Sequence, residues 1–178
     1  MLIELNTRQI ADEMMAITAL RSLAAPDAAA ASRRLLTTAE TDGLYVIMRM
    51  TFAEIIMQLS AQVKHCEIDT GYPQQPLFQA IFTENDPIPQ ERPGNRGPRL
   101  AVEFRNDELL PPGMWMALKR QMEHAVAAAT LEWVITDTDA PLAATLREKR
   151  HAAVDAIAQT IWEADPDCTP REVVPAWW

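Results

Sequence analysis

The chain has 178 residues, of which 48% are hydrophobic and 23% charged, and this composition suits a single globular domain over residues 1–178 with a core of its own. Acidic residues outnumber basic ones by 25 to 16, which gives a formal net charge of −9. Because the basic residues are also scattered along the chain, we expect neither sequence-specific nucleic-acid binding nor adhesion to an anionic membrane.

Three features favour a cytoplasmic location. The first residues carry acids and lack the apolar segment of a signal peptide. The most apolar run, residues 125–131, is too short to cross a bilayer. Cys66 and Cys168 offer neither a metal-ligand spacing nor a disulfide framework, which indicates a reducing compartment.

Apolar residues at helical spacing predict three helices in the N-terminal half, at about residues 7–24, 27–38 and 41–66. Thr7 and Asp27 are suitable N-caps for the first two. The first helix should turn one apolar face inward, made of Ile10, Met14, Ile17 and Leu20. The third has the widest apolar stripe and should face the core with Leu44, Ile47, Met48, Phe52, Ile55, Ile56, Leu59 and Val63.

Helical periodicity fails in the middle of the chain, where most prolines and glycines lie. "PLFQAIFT" (76–83) and "RLAVEFR" (99–105) alternate in polarity as strands do. They predict a two-stranded antiparallel hairpin at about residues 76–105, with a mobile polar loop at 84–98. Because an isolated hairpin is marginal in water, it must pack on a helix, add strands or pair with a partner.

Two further helices are predicted at about residues 112–136 and 140–164, with Asp139 as the N-cap of the second, and an extended tail follows at 165–178. Their expected inward residues are Trp115, Leu118, Met122, Ala125, Ala129 and Trp133, then Leu142, Leu146, Val154, Ile157 and Ile161. The predicted fold is mainly α: an antiparallel helical bundle with the hairpin inserted between its helix pairs.

The stretch "VKHCEIDTGYP" (63–73) holds the densest group of reactive side chains in the sequence. In a helix these side chains point around the whole circumference, whereas in a strand His65, Glu67 and Asp69 share one face. We interpret the stretch as a helix C-terminus, where the positive charges of Lys64 and His65 suit the helix dipole. No catalytic, phosphate-binding or dinucleotide-binding motif occurs, so we predict no enzyme activity and no metal or other cofactor.

Two alternatives remain open. The first is a metal-dependent enzyme whose site forms around His65 and Glu67 when His124 or His151 joins them. The second is a helical bundle that binds a small molecule between residues 44–63 and 115–133, where Met, Trp and Phe side chains are frequent.

The C-terminal "VVPAWW" predicts a contact, because two large aromatic side chains are costly to leave in water. Trp177 and Trp178, with Val174 beside them, either fold back into a groove of their own subunit or dock on a neighbour. Arg92 and Arg96 at the hairpin tip are either part of a solvated loop or a contact arm for another subunit.

Residues 41–164 combine three features in order: a long amphipathic helix, a hairpin whose second strand reads "RLAVEFRNDELLPPGMW", and the helix-turn-helix "ALKRQMEHAVAAATLEWVITDTDAPLAATLREKRHAAVDAI". This arrangement resembles the head–tail connector or adaptor (neck) proteins of tailed phages and prophages, and also uncharacterised proteins of phage-like elements. The resemblance implies a structural protein without catalytic activity that self-associates or docks on a larger assembly through loops and tails. It would make the chain a virion component with protein partners.

Overall fold

The computed structural model describes residues 2–23, 41–69, 98–105, 108, 110–111 and 113–164. Over these residues the fold is mainly helical with a small antiparallel sheet. The elements in chain order are β1 (Leu2–Glu4), α1 (Thr7–Leu23), α2 (Thr41–Gln58), β2 (Val63–Asp69), β3 (Arg99–Phe104), α3 (Met114–Ile135) and α4 (Ala140–Glu163). The predicted helix at 27–38, the strand at 76–83 and the tail at 165–178 lie outside the described residues, as does the loop at 84–98 up to Gly97.

Three helices begin and end within about two residues of their predicted limits: α1, α3 and α4. The N-cap of α1 is Asn6, whose Oδ1 accepts the backbone N–H of Gln9 at 3.1 Å, so the choice of Thr7 was wrong by one position. The prediction of Asp139 as N-cap of α4 is confirmed, because its Oδ1 accepts the backbone N–H of Leu142 at 3.3 Å. At the start of both α1 and α4, a short polar side chain thus accepts a backbone N–H that has no partner within the helix.

The predicted continuation of α2 to residue 66 is wrong. The helix ends at Gln58 and turns through residues 59–62, where Gln62 N–H donates to Leu59 O at 2.9 Å. Residues 63–69 then form β2, so the "VKHCEID" stretch is a strand and not a helix end. Val63 lies four residues after Leu59 and extends the helical pattern in the sequence, but pairing with β3 decides the conformation.

Among the described residues, the sheet has three antiparallel strands in the order β1-β3-β2. In the central strand, Val102 lies opposite Ile3 on one side and Cys66 on the other. A register shift between Val63 and His65 marks a bulge in β2 at Lys64. The predicted two-stranded hairpin is therefore wrong, because β3 pairs on both edges with segments that were not predicted as strands.

One hydrophobic core joins the inward face of the sheet to all four described helices. Ile3, Leu100, Val102 and Phe104 supply the sheet side. The centre of the core is α3, which contacts α1, α2, α4 and β1. Every α3 residue from Ala125 to Glu132 is buried. The run of alanines there lets three helices approach one axis, because small side chains shorten the distance between helices.

Some side chains predicted to face inward do not. Leu20 is 69% exposed near the end of α1, and Trp133 is 59% exposed near the end of α3. Most of the remaining expected inward residues of α2, α3 and α4 are buried in the core or packed against it.

Candidate interaction surface

Helix α2 is apolar on two opposite sides. One side is the predicted core face, where Leu44, Met48, Phe52, Ile55 and Leu59 are buried. The other side points away from the core and consists of Val46, Met50, Ala53 and Met57, which we call the α2 stripe. Its members are separated by four, three and four residues, so they line up along the helix axis.

The α2 stripe is open to solvent. Its side chains Val46, Met50 and Met57 are 48%, 51% and 67% exposed, and Ala53 between them is partly exposed. A helix with two opposite apolar sides keeps both of them from water only when a neighbour covers each side. Methionine is also the side chain that adapts best to a partner surface, because it is unbranched and polarizable. The stripe therefore has the composition of an interface.

The scaffold holds the α2 stripe in a fixed orientation. The core face of α2 packs on α3, and the buried hydroxyls of Thr51 and Thr130 lie 2.9 Å apart across the contact. Thr51 also donates within its own helix, since its Oγ1 lies 3.1 Å from Ile47 O. A partner that binds the stripe thus meets a preformed helix and need not order it.

Two oppositely charged residues flank the α2 stripe. Arg49 immediately precedes Met50, and Glu54 immediately follows Ala53. Along the helix the two charges lie on opposite borders of the apolar band, since each residue turns by about 100°. Within the described residues, neither side chain makes a hydrogen bond or ion pair.

Lys64, His65 and Glu67 of β2 take part in ion pairs on the outer face of the sheet. His65 Nε2 lies 3.5 Å from Glu67 Oε1, and Arg99 Nη1 lies 3.3 Å from Glu67 Oε2. Lys64 Nζ donates to Glu103 Oε1 at 3.1 Å. The strand register places His65, Glu67 and Asp69 at alternate positions, as expected for the strand conformation. The carboxylates of Glu67 and Glu103 are thus paired with cations within the sheet.

The structure does not bring the other histidines to His65. His124 lies on α3, where its Nδ1 is 2.6 Å from Glu13 Oε1 of α1, and His151 is exposed on α4. Over the residues that the structure describes, no three His, Cys, Asp or Glu side chains come together where they could hold a metal ion. The metal-dependent alternative therefore gains no support from this part of the chain.

Sequence reasoning missed two buried carboxylates on α3. Glu123 is 2% exposed and its Oε1 accepts the backbone N–H of Asn6 at 2.9 Å, which ties the start of α1 to α3. Glu132 is 7% exposed and lies 2.7 Å from Arg147 Nε and 3.3 Å from Arg150 Nη1 of α4. The one available signal was an acidic residue within an alanine-rich apolar run. Both carboxylates join elements and do not form a joint site.

A groove of about 650 Å³ lies between the start of α3 and the end of α4. Its lining is mostly apolar and includes Met114, Ala117, Gln121 and Thr160. The small-molecule alternative placed its cavity between residues 44–63 and 115–133, and this groove contains no residue of α2. The groove therefore does not support a small-molecule site between α2 and α3.

The residues predicted to bind a partner all lie outside the described residues: Arg92, Arg96, Val174, Trp177 and Trp178. The α2 stripe was not predicted as a site. Its signal in the sequence is a second set of apolar residues on the side of α2 opposite the core-facing pattern.

Comparisons of the chain with protein-family models, with curated proteins and with solved structures found no match. Among the described helices, none has the length and apolar character that crossing a membrane requires.

Proposed function

We propose that this chain is an interaction protein without catalytic activity that self-associates through the α2 stripe. The observation that carries the proposal is the exposure of Val46, Met50 and Met57 on the side of α2 opposite its core face. These residues form one continuous band, whereas an isolated exposed apolar residue would need no explanation.

Covering the α2 stripe is energetically favourable. Complete burial of a Val or Met side chain contributes about 1.5–3 kcal/mol relative to full exposure. The side chains of Val46, Met50 and Met57 are roughly half exposed. A contact that covers the stripe therefore gains only a fraction of this burial free energy at each position. Because α2 is already held by α3, little of this gain is lost in ordering the helix.

The α2 stripe is compatible with the role implied by the resemblance to phage neck proteins, in which subunits contact their neighbours. In that setting Trp177, Trp178 and Val174 of the tail, with Arg92 and Arg96, would provide further contacts. Self-association through the α2 stripe does not require that setting. The location that we propose is the cytoplasm, or the virion if the chain serves in a phage.

The first test is the effect of Met50→Glu on the solution mass. Light scattering over a range of concentrations should show that the wild-type mass rises with concentration. Met50→Glu should weaken association at least tenfold, which corresponds to about 1.4 kcal/mol, because it buries an unpaired charge in the contact.

Met116→Glu is the matched control, since Met116 is 65% exposed on α3 and outside the stripe. It should associate like the wild type. A wild type that stays monomeric at all concentrations, or a Met50→Glu variant that associates normally, would contradict the proposal. Circular dichroism must show that both variants are folded.

A further inference from the structure

The spacing of the α2 stripe is that of a two-stranded coiled-coil seam. Val46 and Ala53 are seven residues apart, and so are Met50 and Met57, with alternating steps of four and three between them. This is the heptad arrangement in which Met50 and Met57 occupy a positions and Val46 and Ala53 occupy d positions. An exposed seam of this kind is complementary to another seam of the same kind.

The flanking charges distinguish the possible orientations of two such helices. In this heptad frame, Arg49 is a g position and Glu54 is the next e position, five residues later. In a parallel, in-register pair, each g residue meets the e residue five positions further along the other helix. Arg49 of one copy would then meet Glu54 of the second copy, and the two-fold axis would form that pair twice.

An antiparallel pair does not use these charges. A two-fold axis perpendicular to both helices brings each border of the seam against the same border of the second copy. The Arg49 border would face an Arg49 border, and the Glu54 border a Glu54 border. Charge complementarity therefore favours the parallel orientation.

We propose that the occupant of the α2 stripe is a second copy of this chain, bound with the two α2 helices parallel and in register. This inference rests on the proposed self-association and adds its geometry. Ion pairs between Arg49 and Glu54 of the two copies fix the orientation, and burial of Met50 and Met57 supplies the attraction. The seam covers about two heptads, so association should be reversible and dependent on concentration.

The test is a charge exchange between copies. Arg49→Glu puts two acids on the borders of the seam, and Glu54→Arg puts two bases there, so each variant alone should associate at least tenfold more weakly than the wild type. Mixed together, they should form heterodimers that restore both ion pairs. The double variant R49E/E54R should again pair with itself. Native mass spectrometry of the mixture of the two single variants distinguishes the two homodimers and the heterodimer by mass and counts each of them.

A cross-link provides an independent measure of orientation. Met57→Cys, in a chain carrying Cys66→Ala and Cys168→Ala, should form a disulfide-linked dimer under mild oxidation because position 57 faces position 57 in the parallel pair. In an antiparallel pair centred on the stripe, the two positions are about 16 Å apart along the helix axis, at about 1.5 Å per residue, and cannot be bridged.

The outcomes separate the two proposals. Preferred heterodimers together with the cross-link in the Met57→Cys variant support the parallel pair. If Met50→Glu prevents association but the charge variants show no preference for each other, the parallel pair is wrong and the proposed function stands. If Met50→Glu has no effect, the proposed function itself is wrong, and the parallel pair with it.

Discussion

The charged side chains Lys64, His65 and Glu67 of the β2 stretch are engaged in ion pairs. The hydrogen bond from Lys64 lowers the pKa of the Glu103 carboxyl from its ordinary value of 4.5. Lys64 is available for this contact because it is the extra residue of the bulge in β2. The side chain of Lys64, which looked reactive in the sequence, thus serves to hold β2 to β3.

Lys64→Gln should raise the pKa of Glu103 towards 4.5, because the first cause of its lowering is removed. A carboxyl whose pKa is lowered in the folded state stabilises the fold above its unfolded pKa, and this contribution is lost as pH falls through the folded pKa. The variant should therefore lose less stability than the wild type on acidification below pH 4.5.

Titration of the Glu103 carboxyl by NMR, with denaturant unfolding at a series of acidic pH values, would measure both effects. Lys149→Gln, at an exposed position on α4, removes the same charge elsewhere and should leave the Glu103 titration unchanged. An unaltered Glu103 pKa in Lys64→Gln would show that the contact is absent in solution.

The joint between α3 and α4 depends on Asp139, which has two functions. It caps α4 through Leu142 N–H, and its Oδ2 lies 3.0 Å from Arg21 Nε at the end of α1. Asp139 is 5% exposed, whereas the Arg21 side chain is 41% exposed, so solvent screens the ion pair. The cap should therefore contribute more to stability than the charge.

Asp139→Ala should lower the free energy of unfolding by about 1–2 kcal/mol, because the cap and the ion pair are both lost. Asp139→Asn keeps a capping oxygen and removes only the charge. Because exposed ion pairs contribute about 0–1 kcal/mol, this variant should lower the free energy of unfolding by less than about 1 kcal/mol. Urea unfolding distinguishes these values. Equal losses in the two variants would mean that the Arg21 pair, and not the cap, holds the joint.

Sequence patterns predicted the long helices well, because helical contacts are local in sequence, and predicted the sheet poorly. The limits of α3 and α4 followed from periodicity, Asp139 and Pro141, which act within a few residues. The β2–β3 pairing joins Cys66 to Val102, a contact that no local pattern specifies. Val63 also fitted the helical stripe of α2, so the period continued in the sequence beyond the point where the helix ends.

The candidate site was less predictable than the fold. An apolar residue in the sequence of α2 indicates that its side chain is covered, but not by which neighbour. Both sides of α2 carry apolar residues, so the sequence does not show which side meets the core. The neighbours in the fold decide which face meets the core: α3 covers the side of Met48 and Phe52 and leaves Met50 exposed. The same reasoning explains why Trp133 is exposed: it continues the apolar stripe of α3 in the sequence, but it lies near the end of that helix.

Across the whole molecule, the α2 stripe and the tail are expected to be separate contacts. Deleting residues 173–178 removes Trp177 and Trp178 but leaves the stripe intact. If the stripe forms the two-chain contact, the truncated protein should remain a concentration-dependent dimer and lose any larger assembly that the tail supports.

Sedimentation velocity of the truncated and full-length proteins would test this expectation. A folded monomer would show that the tail is the principal contact between copies. A clear fall in melting temperature would instead show that the tryptophans complete the core of their own subunit.

The position of β1 has a consequence for synthesis on the ribosome. Ile3 pairs opposite Val102, and the central helix α3 ends only at Ile135. At roughly 5–20 residues per second, the first strand waits about 5–20 s before its partner has been translated. Until α3 follows, Ile10, Met14 and Phe52 lack the helix on which α1 and α2 pack in the folded protein. We therefore expect closure of the core to be a late event in the synthesis of the chain.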